Sequence, residues 1–313
     1  MSDKQVTRTT IGGQALIEGI IMLGPEKSAI VVRKSNGELE IKEEAAGTYQ
    51  KNAILRLPFI RGIVNLCTSM KRGIQALNFS AQFFEEGGEE ELSRFEKWLN
   101  KKFGSEKIEQ FAMRSALVLG VIVPIVLFIL LPTLVAGAAP KQFSENHIFR
   151  NLMEGVLRIV IFIGFIWSVS RTKDIKRTFA YHGAEHKSIH CYESGSPLTV
   201  ENAQKFPRQH PRCGTSFLFV VMIISILLFS LVPWTNPFLR MLFRLLLLPF
   251  VIGIAYEINR YAGRHDNQLT KILRAPGYWL QLLTTNEPDD SMLEVAIEAL
   301  RRVIPSVQGA DKW

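Results

Sequence analysis

From Leu117 to Gly137 the chain runs for 21 residues without a charged side chain. As a helix rising ~1.5 Å per residue, such a run spans a hydrocarbon core of about 30 Å. It constrains everything around it, because an all-apolar helix must lie in lipid or be buried by protein on every side. Pro124 and Pro132 fall inside the run, so the helix is expected to kink and to need neighbours that satisfy the carbonyls the prolines leave free. A second uncharged run, Thr215 to Trp234, ends in a tryptophan suited to a membrane interface.

Two further apolar segments carry charges. In Asn151 to Ser170, Glu154 and Arg158 sit four apart, where they can pair on one helix face. Met241 to Ile258 has Arg244 near its start and Glu257 near its end, and Arg240 and Arg244 are expected to snorkel to the interface. The expected fold is therefore mainly α: a polytopic membrane protein with about four transmembrane helices, a small N-terminal β-hairpin element and amphipathic cytoplasmic helices. The expected division is 1–112, a cytoplasmic N-terminal region; 113–258, the membrane domain with the His-rich loop 171–214; and 259–313, a cytoplasmic C-terminal region.

Charge sets the orientation. Eight Lys or Arg residues lie between Arg171 and Gly214, against Lys141 and Arg150 in one opposite loop and Arg240 in the other. By the positive-inside rule the central loop and both termini belong in the cytoplasm of a multi-pass protein of the cell membrane. The net charge of +8 is spread beside apolar segments, where it faces anionic headgroups. The lipid bilayer, with a membrane-protein partner, is thus expected rather than nucleic acid. Cys67, Cys191 and Cys213 are too few for a disulfide framework and read as reduced thiols. The polar amino terminus shows no secretory signal pattern.

The polar segments have their own periodicities. Residues 28–44 look like two strands around Asn36-Gly37, with both turn residues at positive φ. From Pro58 to Leu77, apolar Ile60, Ile63, Val64, Cys67, Ile74 and Leu77 alternate at helical spacing with Arg61, Asn65, Arg72 and Gln75. That pattern fits a surface helix on the membrane or a core helix of the polar domain. Residues 85–110 read as an acidic loop and a solvated helix, and Ser291 with Glu294 has capping-box spacing ahead of a C-terminal amphipathic helix.

Ionisable chemistry concentrates in Tyr181 to Glu193. If helical, the segment brings His182, Glu185, His186, His190 and Glu193 towards one side. Histidines four apart can share one ion, and the order His-x-x-Glu-His matches the inverted zinc-peptidase motif. Glu257 is the candidate distal carboxylate. His210 and Cys213, in a Pro- and Gly-containing turn, are further candidate ligands. The metal set is then His182, His186, His210, Cys213 and Glu257, holding a divalent ion, by ligand type zinc, with Glu185 as the catalytic base. A purely hydrogen-bonded structural cluster is the competing reading. Glu18, within Gly12 to Gly19, reads as a buried partner for a basic residue or as a metal ligand.

The motifs GGQALIEGIIMLGP, PFIRGIVNL, YHGAEHKSIHCYE, HPRCGTSF and APGYWLQLLTTNEPDDSMLEVAIEAL together resemble the bacterial YqhQ-like membrane family. That family is a domain of unknown function sometimes labelled a predicted metal-dependent enzyme, and the resemblance implies a bacterial-type membrane protein without fixing any residue's role. The leading functional expectation is a metal-dependent hydrolase acting on a membrane-associated substrate. A non-enzymatic assembly or scaffolding factor is the rival, and a transporter, suggested by the charges in the spans, is the third.

Overall fold

The protein's architecture is that of a computed structural model describing residues 8–45, 55, 57–83, 115, 118–120, 122–138, 147–232, 237–307 and 309–312. It is mainly helical, with one four-stranded antiparallel sheet in the order β1-β2-β3-β4. The strands are β1 (Gly12–Leu16), β2 (Gly19–Leu23), β3 (Lys27–Arg33) and β4 (Leu39–Ala45). The glycine-rich stretch Gly12 to Gly19 lies in a pair of strands, with Leu16 opposite Gly19 and Glu18 at φ 49° in the tight connection.

The expected hairpin is β3–β4, but its turn differs from the expectation. Gly37 alone takes a positive φ, 88°. Its N–H donates to the Lys34 carbonyl at 2.9 Å, and the Lys34 N–H donates to Glu38 at 2.9 Å. This is the three-residue loop in which one glycine absorbs the left-handed step, so Asn36 stays in ordinary backbone space.

The helices are α1 (Ile60–Ala81), α2 (Val118–Gly137), α3 (His147–Val169), α4 (Lys173–Glu193), α5 (Val200–Gln204), α6 (Gly214–Ser230), α7 (Pro237–Arg264), α8 (Gln268–Thr284) and α9 (Asp290–Val303). α4 and α9 pack on the sheet around a core in which Tyr181, Ile20, Met22, Leu293 and Leu300 are wholly buried. The cap of α9 is Asp289, which accepts the Met292 N–H at 2.9 Å. The expected capping box does not form: Ser291 donates to Asp289, and Glu294 pairs with Arg33 at 2.8 Å.

α2, α3, α6 and α7 form an apolar bundle. Three of them, α2, α3 and α7, are long and apolar enough to cross a membrane. α6 is apolar but has only 17 residues, and at ~1.5 Å each its length falls short of a hydrocarbon core. The second uncharged run therefore gives a shorter helix than its sequence length suggested.

Inside the bundle Glu154 is buried among three guanidinium groups. Arg240 and Arg244 reach it at 2.6 Å and Arg158 at 3.1 Å, while Thr133 donates to it at 2.9 Å. Arg240 and Arg244 turn inward rather than snorkelling, since a buried carboxylate offers them a partner that the interface does not. Pro132 cannot donate to the Phe128 carbonyl one turn back, and Arg158 Nε supplies that bond at 2.9 Å. A π-helical turn, Val126–Leu130, precedes the proline.

α1 packs on α7 where Gly62 meets Tyr256, so close that a Cβ would lie 2.7 Å from the tyrosine Cβ. Arg61 pairs with Glu257, and the exposed Asn65 donates to the Tyr256 hydroxyl at 2.7 Å. Small residues, Gly62, Ala76 and Ser80, take the buried positions, while Met70, Ile74 and Leu77 are exposed. α8 crosses the start of α6, Gly277 lying directly against Ser216. The acidic stretch 85–110 lies outside the described residues.

Candidate metal centre

The Tyr181 to Glu193 segment is helical throughout, and α4 is buried along most of this length. Tight packing fixes its rotation. Gly183 sits where a Cβ would come within 2.1 Å of the Asn286 carbonyl oxygen, and Gly13 of β1 sits where a Cβ would come within 3.1 Å of the Glu185 carboxyl carbon. Side chains larger than hydrogen at either position would push the helix off the segments that orient its histidines.

Two groups of potential ligand atoms result, each within 4.8 Å: His182, His186 and Cys213, and His190, Glu193 and His210. The imidazoles run in a chain, with ring centroids 4.4 Å apart for His182 and His186, 5.6 Å for His186 and His210, and 4.6 Å for His210 and His190.

Backbone carbonyls set the tautomers in the first group. His182 Nδ1 lies 2.7 Å from the Thr284 carbonyl, and His186 Nδ1 lies 2.6 Å from the Arg208 carbonyl. A carbonyl only accepts, so both Nδ1 atoms carry a proton, and in the uncharged ring this leaves the lone pair on Nε2. His182 Nε2 faces Cys213 Sγ at 3.2 Å, and His186 Nε2 is buried without a hydrogen-bond partner among the described residues. Two oriented imidazoles and a thiol suit a divalent ion of zinc's preferences, and carbonyl-anchored Nδ1 atoms are the usual outer support of such ligands.

Gln281 of α8 holds the turn that carries His210 and Cys213. Its side chain accepts the His210 N–H at 2.8 Å and donates to the His210 carbonyl at 3.0 Å, closing a two-bond clamp on the backbone. Cys213 then caps α6, its sulfur close to the Thr215 N–H.

In the second group, Glu193 accepts from the Thr9 N–H at 2.7 Å and pairs with Arg212. His210 Nε2 lies 3.6 Å from the same carboxylate. Burial, with His186 and His190 alongside, holds His210 well below the usual imidazole range, and burial also lowers His190. The shift in both favours the neutral form, the one that ligates.

Glu185 lies on the flank of α4 that faces the sheet. Its Oε1 accepts the Gly13 N–H at 2.9 Å, and its Oε2 is buried without a partner. Burial pushes its carboxyl above the usual range, with His182 and the Gly13 N–H opposing. Glu257 is elsewhere, on α7 with Arg61, outside both groups. Glu18 pairs with Arg177 and accepts from the Tyr181 hydroxyl, which makes it the partner of a basic residue.

The proposed ligand set did not include His190 and Glu193 as a second group, although their spacing of three residues on the same helix face was visible. The clamp from Gln281 and the carbonyl of Thr284 carried no signal, because a backbone oxygen or a lone amide looks the same wherever it lies.

Residues 57–306, which span every helix named above, match the family described as Protein of unknown function (DUF1385). The chain belongs to this family. It is 35% identical over 297 residues to the Uncharacterized protein YqhQ of Bacillus subtilis (strain 168), an alignment covering 94% of this chain and 92% of that relative. The YqhQ-like resemblance read from the motifs is thereby borne out, and the family brings no assigned activity. No solved structure matches this DUF1385 member.

Proposed function

We propose that this DUF1385 member is an integral membrane protein whose His182, His186 and Cys213 hold a divalent metal ion, with zinc preferred, at the cytoplasmic face, and that it hydrolyses a membrane-associated substrate. The observation that carries the reading is the pair of carbonyl-anchored imidazoles whose lone pairs face the Cys213 thiol, with His186 Nε2 lacking any other partner. A buried imidazole nitrogen without a partner costs about 1–3 kcal/mol, which a ligated ion would offset.

An ion bound there supplies Lewis acidity to a water or a substrate oxygen. The chain's own residues do the rest. Thr284 and Arg208 keep both imidazoles in the ligating tautomer, and Glu185 Oε2 holds or releases a proton one turn from His182. In this reading α2, α3 and α7 cross the bilayer and the shorter α6 is a fourth span completed by the residues after it. Both termini and residues 171–214 are then cytoplasmic, as the Lys and Arg asymmetry requires.

Metal analysis of the detergent-purified protein tests this directly. Wild type should carry zinc, or another divalent ion, at about one per chain by the three-ligand logic, and His186→Ala should lose it while staying folded. Glu185→Gln should retain the metal and lose activity. Wild type that binds no zinc, iron or manganese would reduce the cluster to a structural one. The exposed stripe Met70, Ile74 and Leu77 of α1 favours a second reading, an assembly factor that docks a partner.

A further inference from the structure

The second histidine group opens onto a cavity of about 520 Å³ between α4, the 210–212 turn and α8. Its walls include Arg8, Arg212, Lys271 and Arg274, against the carboxylates of Glu193 and Asp266. Glu193 is committed to Arg212. Asp266 is shared between Arg8 at 3.6 Å and Arg274 at 3.8 Å. Lys271 has no ion-pair partner among the described residues, whereas Arg274 already gives Nη2 to the Ala262 and His265 carbonyls, and its Nε, unpartnered among the described residues, is buried. The cavity therefore carries a positive surplus beside His190.

The helix that forms one wall also has an apolar edge. Leu269, Ile272, Trp279 and Leu282 of α8 are exposed, by 56%, 63%, 69% and 52%. At helical spacing they occupy one continuous face. Trp279 belongs to both that face and the cavity wall. α8 follows the end of α7, a candidate span, and crosses the start of apolar α6, so this face lies level with the ends of the bundle helices, where an aromatic-rimmed amphipathic helix meets headgroups.

We infer that the cavity is the site for a phosphate-bearing lipid headgroup, with Lys271 holding the phosphate, Arg274 and Arg212 adding positive charge to the wall, and the lipid tails lying along the α8 stripe. Guanidinium and ammonium donors around one concavity are the chemistry that recognises phosphate. An apolar edge opening from the same concavity fits a molecule that is anionic at one end and hydrocarbon at the other. As a substrate assignment this rests on the metal-centre reading, because His190 of the cavity wall connects through His210 to His186, with ring centroids 4.6 and 5.6 Å apart. As a binding site it stands without it.

The test uses the full chain in dodecyl maltoside, treated with chelator so that metal-held phosphate is not scored. Calorimetric titration compares dihexanoyl phosphatidic acid, dihexanoylglycerol and inorganic phosphate. Phosphatidic acid should bind, dihexanoylglycerol should not, and inorganic phosphate should compete more weakly. Lys271→Glu should lower the affinity for phosphatidic acid by about tenfold or more, the scale of one lost charge-assisted contact. Lys271 is exposed and holds no other element, so the variant should fold, and Lys271→Gln should show a smaller loss in the same direction.

Equal binding of dihexanoylglycerol, or an unchanged affinity in Lys271→Glu, would overturn the proposal. Inorganic phosphate binding as tightly as the lipid would overturn its lipid part and leave a soluble phosphate compound as the source. His186→Ala should keep lipid binding while losing metal. Wild type that binds lipid through Lys271 but never binds metal would sink the hydrolase reading alone.

Discussion

The apolar bundle and the unit built from the sheet, α4 and α9 are turned inside out relative to each other. In the bundle Leu134 and Leu231 are 68% and 78% exposed while Glu154 is 1% exposed; around the sheet Leu293, Val295 and Leu300 are wholly buried. Outward apolar surface is what an apolar medium favours, and inward apolar surface is what water favours. Both interiors hold polar clusters, but of different kinds. The bundle buries one carboxylate among three guanidinium groups, whereas the sheet unit sets buried imidazoles against backbone carbonyls beside the Glu193–Arg212 pair.

That contrast predicts an unequal cost of losing one partner. Glu154→Ala leaves three guanidinium groups crowded together, and should cost about 3–5 kcal/mol in thermal unfolding of the detergent-solubilised protein. A loss no larger than that of an exposed ion pair would mean the bundle is held by shape alone. In the sheet unit the corresponding weak point is packing. Gly183→Ala, whose Cβ would meet the Asn286 oxygen at 2.1 Å, should cost roughly 1–3 kcal/mol and displace the strand of backbone that orients His182. Unfolding measured beside metal content would separate the two effects.

Smaller effects sharpen the same comparison. Burial alone would raise the Asp289 carboxyl, but bonds from Ser291 and the Met292 N–H hold it below its ordinary 3.8. Asp289→Ala should therefore cost about 1 kcal/mol at neutral pH through the lost cap. A depressed pKa gives stability that is present above 3.8 and lost as pH falls through the depressed value, so the gap between wild type and variant should close in acid. A gap that persisted at the lowest pH would assign the effect to something other than the carboxylate. Last, Glu257→Gln breaks a pair with Arg61 in which both side chains are 26% exposed. It should cost about 0–1 kcal/mol, far below the Glu154 variant in the same assay.

Much of this architecture was legible in the sequence where a period or a charge-free length reports directly on surroundings. The long uncharged helices, the pairing of Glu154 with Arg158 and the helical run of histidines all follow from spacing. β1 and β2 were not legible, because the three glycines among their residues look like turn material unless one knows that β1 must pass within a Cβ radius of Glu185. The inward turn of Arg240 and Arg244 was hidden for a different reason. Snorkelling is a local preference, and it yields only to a carboxylate that the fold delivers from another helix.

The bond from Arg158 to the carbonyl freed by Pro132 carries a consequence for biogenesis. In a bilayer α2 cannot finish its own hydrogen bonding until α3 arrives, and α3 brings Glu154, whose other partners Arg240 and Arg244 are encoded 86 and 90 residues further along. If these helices cross a bilayer as proposed above, α3 carries both Glu154 and Arg158, which pair within the one helix, and the guanidinium groups of Arg240 and Arg244 enter lipid at lower cost beside that carboxylate than alone, so α7 gains by inserting against α2 and α3.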